Sequence, residues 1–217
     1  MDFWSSFTRL AETNFALSLA ALLTLWLCAA RAWRLAVWWC LLFGGALFIV
    51  TATKVAYAGW GIGIAAIDFR GFSGHAMRAA AIAPVLAFLL AQRRAGLLRQ
   101  AAIGAGVLFA VGIAISRLAL AVHSISEVIA GLALGFATAW CFIRIARQAP
   151  MIYLDRFTLV FCTVLLLPVL TTRPAPTQGW IEQVAVRLAG EEKIDEIRKR
   201  MGRKPDDRRE PQVNTSG

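Results

Sequence analysis

Apolar residues run along this chain in long blocks separated by short polar islands, without the alternation of a half-buried strand. The blocks cover residues 14–30, 35–53, 76–91, 101–115, 125–143 and 157–172. Each reads as a helix apolar on every side, the pattern of a segment surrounded by hydrocarbon. At a rise of about 1.5 Å per residue, such runs cross a core of about 30 Å only if their ends extend or the bilayer thins. The expected fold class is therefore all-α: a polytopic membrane protein with a six-helix transmembrane bundle over residues 14–172.

The flanks differ in character. Residues 1–13 mix Phe3, Trp4, Phe7 and Leu10 with polar neighbours, as an interfacial helix or a frayed terminus would. No basic cluster precedes the first run and no clear small-x-small site follows it, so it is expected to be retained rather than cleaved. Residues 173–217 carry ten basic and eight acidic residues after an Arg-Pro-Ala-Pro start. Ile181, Val184 and Leu188, then Ile194, Ile197 and Met201, follow helical spacing on either side of Gly190. Asp195 and Glu196 stand four residues before Lys199 and Arg200. Two short amphipathic helices are expected, lying on the membrane or the protein or solvated without a partner, with a disordered end from Pro205.

Charge adds a direction. The net charge of +10 resides mainly in arginines beside the apolar runs, where bilayer orientation explains it and no nucleic-acid motif accompanies it. If connections alternate sides, Arg31 and Arg34, Arg93, Arg94 and Arg99, and Arg144, Arg147 and Arg156 share one face. That face is expected to be cytoplasmic, which places Lys54, Arg70 and Arg117 on the periplasmic or exterior side of a bacterial inner membrane. A hydrophobic content of 59% and a mean hydropathy of +0.63 fit the same class. Cys28, Cys40, Cys141 and Cys162 all fall in apolar runs without metal-ligand spacing and read as packed or lipid-facing thiols.

Chemistry is confined to three islands. Between Glu12 and Asp155 the only carboxylates are Asp68 and Glu127, so a carboxylate metal site is not expected. The two histidines, His75 and His123, each precede an apolar run, and Lys54 is the only lysine before the tail. Lys54 opens the first island and on its own reads as a snorkelling interfacial lysine. The second, Asp68-Phe-Arg-Gly-Phe-Ser-Gly-His75, ends at a helix start, where free N–H groups attract an anion or Ser73 merely caps the helix. In the third, from Ser116 to Glu127, His123 and Glu127 are four residues apart on one helix face. The carboxylate can bind one imidazole nitrogen and leave the other to attack. Ser124-Ile-Ser-Glu127 equally fits a capping box, in which Glu127 bonds the backbone of Ser124. Spacing leaves both arrangements open.

Together these residues resemble the type 2 phosphatidic acid phosphatases, membrane relatives of the vanadium haloperoxidases. The family pattern is Lys, six residues, Arg-Pro; then Pro-Ser-Gly-His; then Ser-Arg, five residues, His, three residues, Asp. Ser116-Arg117, His123 and Glu127 match the third motif with Glu for Asp, and Phe72-Ser73-Gly74-His75 matches the second after its first residue. Lys54 begins the first motif, but Gly61-Ile62 stands where Arg-Pro is expected. The resemblance spans about residues 54–131 and leaves the tail unassigned.

What the resemblance implies is a metal-independent phosphatase that hydrolyses a lipid phosphate or pyrophosphate or transfers its phosphate to a second lipid. His123 would form a phosphohistidine with Glu127 orienting its ring, while His75 would protonate the leaving oxygen and then activate water. Lys54, Ser73, Gly74 and Arg117 would hold the phosphate, with Arg70 the candidate for the missing arginine. No cofactor is implied; the partners are a lipid phosphate substrate and the surrounding membrane lipids. The competing expectation is a non-catalytic anionic-lipid binding protein or transporter, which accounts for the cations but not for the His123 to Glu127 spacing. A haloperoxidase-like activity requires vanadate and ranks last. Oligomeric state and the particular lipid are not readable from these residues.

Overall fold

The structure, a computed structural model, describes residues 12–150 and 177–190. These contain six α-helices: α1 Thr13–Ala29, α2 Trp33–Trp60, α3 Gly74–Leu90, α4 Gly96–Ala119, α5 Ile125–Ala146 and α6 Thr177–Ala189. One 3-10 turn, Ala65–Ile67, and one isolated bridge between Ile64 and Phe69 lie between α2 and α3. The fold is all-α. Helices α2, α4 and α5 are long and apolar enough to cross a membrane, and α1 and α3 are apolar helices of 17 residues. The chain is thus a multi-pass membrane protein. The expected sixth run, the segment before Glu12 and the second tail helix lie outside the described residues.

Helix ends differ from the apolar runs in an instructive way. The run ending at residue 53 is followed by two more helical turns to Trp60, so Lys54 lies inside α2. Helix α4 extends beyond residues 101–115 at both ends and carries Ser116 and Arg117 in its last turn. A backbone helix continues for as long as its carbonyls find partners, whereas an apolar run stops at the first polar side chain.

Helix α3 is the axis of the bundle. Gly74, Ala76, Met77, Arg78, Ala79, Ala80, Ala81, Ile82, Pro84, Val85, Phe88 and Leu89 are all buried in it, and it packs most extensively against α4 and α5. Small residues make this approach possible. A Cβ on Gly131 of α5 would stand 2.6 Å from the carbonyl of Ser73, and one on Gly135 would overlap the carbonyl of Met77. Glycines four residues apart on one helix face let two backbones meet, as packing between membrane helices favours.

The core is filled at the other end of the bundle, where the arginine connections lie. Trp39 stacks on Phe43 with ring centroids 5.0 Å apart and meets Phe142 edge-on at 5.4 Å. Its indole N–H donates to the carbonyl of Ala20 at 3.2 Å, tying α2 to α1. Outside this core, Val37, Leu41, Phe48, Leu108 and Ile129 are exposed. Such a surface suits hydrocarbon rather than water. Trp33, Trp38 and Trp140 lie beside Arg31, Arg34 and Arg144, and the Arg144 guanidinium sits 5.3 Å from the Trp140 ring, the composition of an interfacial belt.

The tail helix α6 packs against the last turns of α2. The face it buries shares only Ile181 with the expected Ile181, Val184 and Leu188 stripe: Ala185 is fully buried beside Val55, with Ile181, Val186 and Ala189 partly covered, and Val184 and Leu188 are exposed. Alanines win because α2 presents Gly59 there, so close that a Cβ on it would stand 3.3 Å from the Ala189 methyl.

Candidate functional site

Helical connectivity brings the three islands to one end. Helix α2 ends there, α3 begins there, and α4 hands over to α5 there. Gly61, in a left-handed conformation with φ of 67°, stops α2. The connection to α3 then closes on itself, with Ile64 and Phe69 exchanging backbone hydrogen bonds at 3.0 and 3.1 Å around Asp68 at φ 47°.

This loop is held to α5 and α2. Ser126 Oγ donates to the carbonyl of Ile67 at 2.7 Å, and the N–H of Ser73 donates to the carbonyl of Glu127 at 3.0 Å. The N–H of Phe72 reaches Thr53 Oγ1 at 3.5 Å. Between them Gly71, at φ 138°, passes so near Lys54 that a Cβ would come within 3.1 Å of its side chain. Only glycine combines that dihedral with that clearance.

At the α4–α5 corner, Ala121 takes a φ of 52° and the N–H of Val122 donates to the carbonyl of Arg117 at 3.3 Å. This tight turn sets His123 just ahead of α5. His123 Nδ1 and Glu127 Oε2 are 2.6 Å apart. The same Oε2 accepts from the N–H of Ser124 at 3.4 Å, while Ser124 Oγ accepts from the N–H of Glu127 at 3.4 Å. The histidine contact and the capping box, alternatives by spacing, coexist. The second oxygen, Oε1, accepts from the backbone N–H of Arg70 at 3.0 Å. Glu127 is 6% exposed and serves three elements at once. With Nδ1 donating to the carboxylate, the His123 lone pair is on Nε2.

The cations gather around this pair. The charges of Arg117, His123 and Lys54 all act on His75, and those of Glu127 and Arg117 act on Lys54. Ser73 is fully buried at the start of α3, and its hydroxyl has no hydrogen-bond partner among the described residues. Ser116 is also buried, but its hydroxyl turns back to the carbonyl of Ile113 at 2.6 Å, a bond within its own helix.

Arg70 is placed differently from the others. Its side chain is 51% exposed and pairs with Asp68 at 2.9 Å; the hydrogen bond to Asp68 raises its pKa. It enters the site through its main chain. Arg78, which the motifs do not contain, is buried on α3 within electrostatic range of His75, Lys54 and Arg117. The available signal was an arginine inside an apolar run, three residues after His75. Among the described residues no three His, Cys, Asp or Glu side chains gather as a metal site requires.

Such an arrangement can bind a multiply charged anion beside an oriented imidazole. Residues 60–151 match the PAP2 superfamily, a stretch that contains both histidine islands and begins after Lys54. An uncharacterized 22.5 kDa protein in the cps region of Klebsiella pneumoniae is 36% identical over 191 residues, covering 85% of this chain and 91% of that protein. Among solved structures, the chain is similar to the first transmembrane PAP2 type phosphatidylglycerolphosphate phosphatase from Bacillus subtilis. The TM-score is 0.54 at 22% identity, over 72% of this chain and 78% of that one. In sequence motif, connectivity and fold, this chain belongs to the PAP2 superfamily, the type 2 phosphatidic acid phosphatases.

Proposed function

We propose that this chain is an integral membrane phosphatase that removes phosphate from a lipid phosphate or pyrophosphate, or passes it to another lipid, through a phosphohistidine on His123. The observation that carries this reading is the 2.6 Å contact between His123 Nδ1 and Glu127 Oε2. A carboxylate on one nitrogen directs the lone pair of the other outward and stabilises the imidazolium as it forms.

In this scheme Nε2 attacks phosphorus as the bond to the leaving oxygen breaks, and His75 gives that oxygen its proton. Water then attacks the phosphohistidine, returning a proton to His75, and phosphate leaves with His123 restored. Lys54, Arg117, the Ser73 hydroxyl and the Gly74 amide take up charge on the equatorial oxygens. Side chains and a helix terminus supply the positive field, so turnover should persist in chelator. Family membership and the apolar surroundings support a lipid substrate. The arginine-rich connections at the other end support a site facing the periplasm or exterior of a bacterial inner membrane.

The test is phosphate release by detergent-purified protein, in chelator, from isoprenoid, glycerolipid and lipid A phosphates, with His123→Ala in parallel. Release that disappears in the variant is the expected result. Saturable lipid binding without release, equal in both proteins, would instead identify a non-catalytic lipid-binding protein.

A further inference from the structure

We propose that Arg78 makes the phosphate contact that the first motif lacks, a reading that rests on the phosphatase assignment. The arginine expected in that motif would stand at Gly61, where the left-handed backbone ends α2. Arg78 reaches the site from another helix. Long side chains on a helix lean toward its N-terminus, and Arg78 is four residues after Gly74 on α3. Its Nη1 accordingly lies 3.0 Å from where a Cβ on Gly74 would be. The space of that missing side chain is filled by a guanidinium, over the helix turn that carries the unpartnered Ser73 hydroxyl.

Burial makes this placement informative. Arg78 is 7% exposed, so its guanidinium is held in place by the surrounding helices. Lys54, His75 and Arg117 are within electrostatic range, and the Glu12 carboxylate also acts on Arg78. So many convergent cations favour a ligand with at least two negative charges, and a guanidinium matches a phosphate in bidentate geometry. Arg78 also lines an apolar crevice of about 360 Å³ between α1, α3 and α4, with Phe15, Leu19, Ile82, Leu86 and Phe109. The ligand chemistry is a phosphate dianion, and the adjoining crevice favours one joined to a hydrocarbon chain.

Orthovanadate, which adopts the five-coordinate geometry of a transferring phosphoryl group, tests the contact without requiring turnover. Calorimetry on Arg78→Ala, Arg78→Lys and Arg78→Met should show affinity lost by about 10- to 100-fold for Ala and Met, with Lys intermediate. Thermal unfolding of Arg78→Met without vanadate measures the structural share of the side chain separately. Full vanadate affinity in Arg78→Met with a lowered melting temperature would assign Arg78 a structural role and overturn the proposal. A larger loss in Arg70→Ala than in Arg78→Ala would overturn it as well.

The two sources of phosphate separate in kinetics. Arg78→Ala should raise KM or lower kcat/KM for a long-chain lipid phosphate and for a short soluble phosphomonoester alike. An effect confined to the long-chain substrate would make Arg78 a wall of the crevice rather than a phosphate ligand. If wild-type protein binds vanadate through Arg78 yet releases no phosphate from any lipid, the contact stands and the phosphohistidine reading fails.

Discussion

The backbone N–H of Arg70 donates to Oε1 of Glu127 at 3.0 Å. The loop before α3 therefore leans on the same carboxylate that holds His123 at 2.6 Å through Oε2. Loop position and imidazole orientation are set by one side chain, and the longer arm of Glu relative to the family Asp is used to reach both.

Glu127→Gln keeps that arm and removes its charge. On the proposed mechanism, kcat should fall about 100-fold or more with a smaller change in KM, because the charge is needed as the imidazolium forms. Glu127→Asp should also lose activity, since a shorter arm cannot satisfy His123 and the Arg70 N–H together. Steady-state kinetics on both variants checks this; wild-type kcat in Glu127→Gln would remove the orienting role.

Gly131→Ala places a methyl 2.6 Å from the Ser73 carbonyl. Helix α3 must then withdraw from α5, at a cost of about 1–3 kcal/mol, and carry Ser73 and His75 with it. Gly104→Ala, in the neighbouring helix with open space around it, is the control. Thermal unfolding in detergent should separate the two, and equal midpoints would contradict the close approach.

Trp39→Phe retains an aromatic ring against Phe43 and Phe142 but cannot donate to Ala20. A loss of about 1 kcal/mol is expected from the hydrogen bond. Trp39→Ala should cost about 3–5 kcal/mol by opening the core. Unfolding by denaturant measures both, and near-equal effects would show that packing contributes little at this end.

Orientation is tested by single cysteines at Ala95 and Gln183 in a background lacking the native thiols. Both positions are exposed, Ala95 at the arginine end and Gln183 on α6. A membrane-impermeant maleimide on intact cells should label Gln183→Cys and spare Ala95→Cys. The reverse pattern would turn the proposed site to the cytoplasm.

How the fold was legible follows from what each signal measures. Apolar runs marked α1 to α5 because hydrocarbon selects composition, but they missed the polar ends of α2 and α4, where Lys54, Ser116 and Arg117 continue the helix. The histidine islands were legible because their spacing is local: His123 and Glu127 meet across the N-cap of α5, four residues apart. Arg70 and Arg78 show where locality runs out. Arg70 is near the second island in sequence, yet its side chain turns to Asp68. Arg78 was hidden inside an apolar run, and its direction became visible only with the first turn of α3 and the bare Cα of Gly74. In α6, helical spacing found the helix but favoured large residues, whereas Ala185 and Ala189 are the residues that meet Gly59 on α2.

The two shorter apolar helices, α1 and α3, border the same crevice. Each has 17 residues and so spans about 25 Å, less than the roughly 30 Å of a typical hydrocarbon core. A bilayer meeting that side either thins to match or is met by the non-helical residues that flank each helix. On the proposed lipid-phosphate reading, a bilayer thinned on that side would bring a headgroup toward the buried cations while its tail stays in hydrocarbon.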